Sequence, residues 1–402
     1  MRVLTVFGTR PEAIKMAPVV SELRRRGVEQ RICVTAQHRA MLDQVNELFG
    51  IPVDIDLDLM RPGQRLEELT ARILMSMGGV LEREKPDLVL VHGDTTTAFA
   101  TALAAFYRDV PVGHVEAGLR THDRRQPFPE ETNRAFIAQM GSLHFAPTPR
   151  SRANLLSERV APESILVTGN TAIDALLQMS ARVCPEDARV RVPAGHRPIL
   201  LTAHRRESFG APLEATFLAL RRIVERFPDV EVVYPVHPNP HVQEPAHRLL
   251  GGHARIHLIE PQPYHAFVAL MKQAELIITD SGGIQEEAPA LGKPVLVLRN
   301  VTERPEAVEA GTVRLVGTDP ERIEQAVTTL LCEPEEQEHM ARAINPYGDG
   351  RAAERIVSHL LGESPAPWQS PAERVSESVR KDETPRRRTR RLDELAAHEV
   401  RL

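Results

Sequence analysis

Short apolar runs recur along this chain, each ending in a polar cluster and then a stretch compatible with helix, and no other feature narrows the fold as much. The first run, Arg2 to Phe7, passes through Gly8 to Arg10 into a helix entered at Pro11, where a first turn accepts proline. The unit recurs at Arg31 to Thr35, Leu88 to His92, Val110 to Val115 and Leu143 to Ala146. A second series opens near residue 197, with runs at Ile199 to Thr202, Val230 to Pro235, Ile256 to Ile259, Leu276 to Thr279, Val295 to Leu298 and Val313 to Val316. Apolar runs alternating with helices predict a parallel sheet covered on both faces. Two such series in 402 residues predict an α/β chain with two doubly wound, Rossmann-like domains. Such sheets bind ligands beyond the carboxyl ends of their strands, so two facing domains are expected to hold a ligand in the cleft between them.

Composition excludes several classes. A net charge of -5 leaves no global basic field for nucleic acid, so an anionic substrate needs local cations. Cys33, Cys184 and Cys332 lie far apart without metal-ligand spacing and are expected as reduced thiols in a cytoplasm. The first residues read as a strand rather than a signal peptide, and no apolar run reaches the length of a membrane span, so no membrane association is expected. From Glu363 the apolar periodicity fades, and the stretch to residue 402, with Trp368 and the cluster RRRTRR at 386–391, is expected to be a disordered tail.

The polar clusters carry the candidate chemistry. In TDSGGIQEEA, 279–288, the loop Asp280 to Gly283 joins an apolar run to a helix and delivers backbone N–H groups to one point. That is an anion site, suited to a diphosphate because Gly282 and Gly283 admit close approach and Ser281 adds a hydroxyl. Glu287, a turn further on, can accept hydrogen bonds from a ribose diol, although a tight turn alone uses the same glycines. GTRPE at 8–12 puts Arg10, with Lys15 a turn later, at a strand end; the pair suits a phosphate, and a solvated surface pair explains the charges equally well. HGDTTT, 92–97, sets Asp94 at another strand tip as either a carboxylate of the site or a helix cap. HVEAGLR, 114–120, sets Glu116 at a neighbouring tip, so Asp94 and Glu116 are a candidate acid and base pair. Glu130, in PFPEETNR, opens a helix, where an acid also complements the dipole. His204, in HRRES, reads as a phosphate or hydroxyl contact or a structural imidazole. No zinc-type spacing accompanies the histidines, and neither G-x-G-x-x-G nor a P-loop occurs, so neither a metal nor a nicotinamide cofactor is expected.

Taken together, FGTRPEAIKMAP, VTAQHR, VHGDTTT, GHVEAGLR, PEETNR, TGNTAIDAL, HRRESFG, YPVH, DSGGIQEEAP, LGKPVLVLR, TERPEAV and NPYGDG stand in order, and the chain to about residue 361 resembles the bacterial non-hydrolysing UDP-N-acetylglucosamine 2-epimerases. The resemblance implies the GT-B architecture, with a domain over 1–170, a UDP-binding domain over 171–348, and a last helix at 349–361 returning to the first. It implies interconversion of UDP-GlcNAc and UDP-ManNAc, as donor supply for cell-envelope polysaccharide, by a cytoplasmic homodimer needing no cofactor. The nearest alternative is a hydrolysing relative that releases free N-acetylmannosamine. By the matching motifs, Asp94, Glu116, Glu130 and His204 are implied as catalytic. Arg10, Lys15, Gln262, Phe267, Ser281, Gly282, Gly283, Glu287 and Arg304 are implied, with Asp94, Glu116 and His204, as substrate contacts.

Overall fold

The computed structural model describes residues 1–35, 39–61 and 63–369. Its frame is a pair of parallel sheets. The first contains β1 (Arg2–Phe7), β2 (Glu29–Val34), β3 (Ile55–Asp56), β4 (Leu88–His92), β5 (Val112–Val115), β6 (Leu143–Ala146) and β7 (Ile165–Val167), in the order β3-β2-β1-β4-β5-β6-β7. The second contains β8 (Arg197–Thr202), β9 (Val230–Pro235), β10 (Ile256–Ile259), β11 (Leu276–Thr279), β12 (Val295–Val297) and β13 (Val313–Leu315), in the order β10-β9-β8-β11-β12-β13. Both are doubly wound. The chain order reverses between β1 and β4 and again between β8 and β11, and those reversals leave the crevices where such sheets take ligands.

The predicted strands are present with ends shifted by a few residues at most, and two more appear, β3 and β7. Those two have two and three residues and lie at opposite edges of the first sheet, too short to register as apolar runs. The central strands are buried along their length because helices cover both faces. One core cluster joins Phe7, Leu23 and Ile32 of the first half to Leu200, Val268 and Ile277 of the second. The helices Thr171–Ser180 and Tyr264–Gln273 pack on each other and carry that continuity between the sheets.

The last described helix, Ala352–Leu360, returns to pack on helices Arg10–Arg25 and Thr171–Ser180 through Ala353, Ile356 and Val357. Its N-terminus is capped from outside. Asp174 accepts from the N–H groups of Ala352 and Ala353 at 3.1 and 2.8 Å. Burial pushes the Asp174 carboxyl up to about 7 against the lowering effect of those two bonds.

The chain does not become structureless at Glu363. Residues 363–369 continue without helix or strand, and the indole of Trp368 is buried, with the Trp368 backbone N–H donating to the Val167 carbonyl at 2.8 Å. A single aromatic anchor has no periodicity to read, which is why the sequence predicts a tail from Glu363 onward. The arginine cluster at 386–391 lies outside the described residues, as do residues 36–38 of the VTAQHR motif. Among the described residues no helix is long and apolar enough to cross a membrane.

Candidate functional site

At the end of β1 the chain turns into helix Arg10–Arg25 at Thr9, whose hydroxyl caps the N–H of Glu12 while Glu12 Oε2 accepts from Thr9 N at 2.8 Å and Gly8 N at 3.1 Å. Glu12 also takes the Thr95 hydroxyl at 2.7 Å, and Thr95 is the cap of helix Thr96–Phe106. One buried carboxylate thereby ties the β1 and β4 strand ends together. Gly8 is required there, since a Cβ would lie 2.2 Å from Thr35 Oγ1 and 2.4 Å from Thr97 Oγ1.

Lys15, a turn and a half into that helix, hydrogen-bonds Glu116 beyond β5. Glu116 adopts φ 63°, a left-handed conformation costing a residue with a Cβ about 1–2 kcal/mol, and it is held among fixed partners. Burial would raise the Glu116 carboxyl, but Lys15 and then His92 outweigh it and hold the group well below the ordinary carboxylate range. Lys15 is raised in turn, because Glu116 and Glu286 overcome the effect of burial. His92 lies 3.7 Å from Glu116, and burial lowers it to about 4, so it is neutral near pH 7.

Asp94 shifts the other way. Burial raises its carboxyl, Arg134 at 3.7 Å opposes, and Glu116 and Glu130 add to the rise. Glu130 is the first residue of helix Glu130–Met140, partly buried and close enough to Asp94 to act on its charge. Its neighbour Glu131 is structural, accepting from Thr121 N and His122 N and pairing with Arg134 at 3.1 Å.

On the second sheet, β11 is followed by Asp280, whose Oδ2 accepts from His204 N and Arg205 N at 2.7 and 2.8 Å. The His204 ring lies 3.5 Å from Asp280 Oδ1 and stacks on His237 at 5.4 Å, with its side chain 41% exposed. Among the described residues no hydrogen bond joins His204 to Asp94, Glu116 or Glu130. Helix Gly282–Ala290 starts after Ser281, whose side chain makes no cap hydrogen bond, so the first-turn N–H groups are left for an incoming anion. Arg304 lies over that turn: a Cβ on Gly282 would be 2.6 Å from its Nη1. Arg304 pairs with Glu286 at 2.6 Å and Glu303 at 2.7 Å.

Arg10 reaches from the first half toward Tyr264 and Glu287 of the second. Burial raises Glu287 to about 7, while Lys15 and Arg10 pull it down. Among the described residues the Tyr264 hydroxyl and Gln262 Oε1 are buried without a hydrogen-bond partner, and Phe267 is partly buried on helix Tyr264–Gln273. A cavity of about 1000 Å³ opens between the halves, lined by Arg125, Phe128 and Arg150 on one side and Arg206, Arg299 and Thr302 on the other. Lys15, Asp94 and Glu116 do not line it, so it extends the cleft away from the carboxylates rather than enclosing them.

The structure therefore brings Lys15, Asp94, Glu116 and Glu130 into one cluster of ionisable groups, sets Arg10 within electrostatic reach of Glu287, and leaves His204 in a separate pair with Asp280. Sequence reasoning missed Asn170 and Glu286. Asn170 bridges Glu116 and Glu286 through its amide at 3.0 and 2.7 Å, closing a chain of contacts from Lys15 to Arg304. Asn170 stands as a cap before a helical run in the TGNTAIDAL motif, and that was the one available signal. Among the described residues no His, Cys, Asp and Glu group is arranged to hold a metal ion.

The family model described as UDP-N-acetylglucosamine 2-epimerase matches residues 21–361. A UDP-N-acetylglucosamine 2-epimerase of Escherichia coli O157:H7 is 56% identical over 369 residues, covering 90% of this chain and 98% of its own. The Bacillus subtilis (strain 168) protein of that name is 54% identical over 362 residues, covering 90% and 95%. The crystal structure of the Neisseria meningitidis UDP-GlcNAc 2-epimerase bound to UDP-GlcNAc superposes with a TM-score of 0.84 at 51% identity, covering 90% of this chain and all of that one.

Proposed function

Because the chain belongs to the UDP-N-acetylglucosamine 2-epimerase family, we propose that it interconverts UDP-GlcNAc and UDP-ManNAc by reversible elimination of UDP, without hydrolysis. The observation that carries this reading is the contact chain between the halves, in which Lys15 pairs with Glu116, Asn170 links Glu116 to Glu286, and Arg304 joins Glu286 over the Gly282 turn, with the Glu116 carboxyl held down and that of Asp94 pushed up beside it. The C2 proton of the sugar is not alpha to a carbonyl. As the C1–O bond breaks and UDP leaves with the bonding pair, C1 gains oxocarbenium character and the C2 proton becomes acidic. Glu116 takes that proton, giving 2-acetamidoglucal and UDP in the cleft. Asp94 returns a proton to the opposite face of C2 as UDP re-adds at C1. Glu116 then loses its proton to solvent and Asp94 takes one from solvent, which resets the pair.

The departing diphosphate needs fixed positive charge. Arg10, Lys15, Arg304 and the N–H groups of Gly282 and Gly283 supply it, with Ser281 adding its hydroxyl. Glu287 takes the ribose diol, and Gln262 and Phe267 take the base. Glu130 tunes Asp94, and His204, oriented by Asp280, meets the diphosphate when the cleft closes. In this reading residues 1–170 with the helix at 349–361 form one domain, 171–348 the other, and the enzyme works in the cytoplasm. The test is proton NMR of purified protein with UDP-GlcNAc in D2O. Deuterium at C2 of both epimers with little free UDP is the expected result; stoichiometric UDP with free N-acetylmannosamine would overturn the non-hydrolysing assignment.

The assembly proposed is a homodimer through helices Leu66–Glu84, Thr96–Phe106 and Glu130–Met140, which pack side by side on the first sheet. Their outer surface exposes Met75 at 77% and Phe136 at 52%, besides Phe106 and Tyr107 at the end of the middle helix, and Phe136 packs on Phe99 at 5.8 Å. Large apolar side chains gathered on one face mark a protein contact. Light scattering is expected to give a dimer for the wild type and a monomer for Phe136→Arg; a monomeric wild type at micromolar concentration would remove this interface.

A further inference from the structure

Asn170 stands where the chain crosses from the first sheet to the second, 2% exposed, and each of its polar groups is committed to a different neighbour, the backbone carbonyl accepting from Ile173 N at 3.0 Å. Its N–H donates to the Tyr347 carbonyl at 2.6 Å, on the segment that crosses back. Its Oδ1 caps helix Thr171–Ser180 by accepting from Ala172 N at 3.0 Å. That bond fixes the amide orientation, because the flipped amide would set an oxygen against two carboxylates and an NH2 against an N–H. The Nδ2 protons then go one to Glu116 Oε2 at 3.0 Å and one to Glu286 Oε2 at 2.7 Å. Glu116 belongs to the first half. Glu286 belongs to the second and is tied there to Arg304.

We propose that Asn170 is a positioning residue for the epimerisation, its single amide aiming Glu116 at the sugar only when Glu286 and Arg304 of the other half are docked beside it. The proposal rests on the reading of Glu116 as the C2 base. An amide suits the task better than a charged side chain. Lysine would neutralise the carboxylates and aspartate would repel them, whereas asparagine holds two anions in place and leaves Glu116 basic. Around Glu116 stand Lys15 of helix Arg10–Arg25, His92 at the end of β4, and Asp94 just beyond it. Glu286 and Arg304 face it from the second half, so Asn170 is a neutral donor set between two carboxylates, one from each half.

Capping and bridging can be separated. Serine caps a helix about as well as asparagine but offers no paired donors. For Asn170→Ser, kcat is expected to fall about 100-fold, the scale of a general base displaced by about 1 Å. KM and UDP affinity stay near wild type, Tm falls by a few degrees as two buried carboxylates each lose a donor, and the acid limb of the kcat profile moves to higher pH as Glu116 loses a donor that favours its anion. Asn170→Asp is expected to be slower still near neutral pH and to recover partly on acidification, when a protonated carboxyl regains one donor. A kcat within twofold of wild type with an unmoved acid limb overturns the proposal, as does a loss of kcat matched by an equal fold loss of UDP affinity. A wild type that exchanges no C2 proton overturns the epimerase reading and this proposal with it; a wild type that exchanges beside an unimpaired Asn170→Ser overturns this proposal alone.

Discussion

Glu116→Gln is expected to slow C2 proton exchange by about 10³-fold, within the range general-base catalysis contributes, while UDP still binds. Glutamine preserves the shape and the acceptor facing Asn170, so the loss falls on basicity. It also leaves Lys15 without its nearest anion, and removing one partner of a buried pair costs about 3 kcal/mol. Glu286 remains beside Lys15, and the fold survives because total stabilities run to roughly 5–15 kcal/mol. The pH signs follow from the shifts. Glu116 must be ionised to act and its carboxyl is held low, so turnover is lost only on strong acidification, together with the stability the Lys15 pair contributes above the ordinary carboxylate range. Asp94 must be protonated and is raised, so turnover declines as pH climbs through its shifted value. Asp94→Asn is expected to abolish that alkaline limb along with most of kcat. NMR exchange rates with calorimetric UDP binding check both variants, and Glu116→Gln within tenfold of wild type would remove Glu116 from the role of base.

The strand ends were legible because a buried parallel strand must be apolar and the polar residue after it must face the crevice. That rule placed Gly8, Asp94, Glu116, His204 and Asp280 beside their crevices. It has no purchase on consecutive acids inside a helix. Glu286 and Glu287 differ by about 100° of rotation on one helix, and only tertiary packing sends Glu286 to Arg304 and Asn170 while Glu287 lies in the field of Lys15 and Arg10. Glu130 and Glu131 divide in the same way, one near Asp94 and the other holding the Thr121 backbone. Asn170 was hidden for another reason: its partners are 54 and 116 residues away, and a cap residue carries no sign of what its other atoms touch.

Trp368→Ala is expected to destabilise the protein by about 3–5 kcal/mol, the usual cost of emptying a buried aromatic site. The indole is 3% exposed, its Nε1 donates to the Pro346 carbonyl at 3.1 Å, and the Arg355 guanidinium lies 5.7 Å from the ring centre. Arg355 also donates to Thr168 O at 3.1 Å, so one indole packs against both crossings between the sheets, Val167–Thr168 on one side and Pro346 on the other. Removing it loosens the segments that set the relation of the two halves, besides leaving a void. At roughly 2–4 °C per kcal/mol, Tm should fall by about 10 °C. Trp368→Phe keeps the ring contact and loses one hydrogen bond, so it should cost about 1 kcal/mol plus the smaller ring's packing. The chain has one tryptophan, so wild-type emission reports this site alone, and it should be blue-shifted in the native protein and move red through the same transition that circular dichroism follows. The family model ends at residue 361, so the anchor lies beyond it. A Trp368→Ala Tm within 2 °C of wild type, or native emission at the solvent-exposed wavelength, would mean that the segment after Gly362 does not dock and that the crossings are held without it.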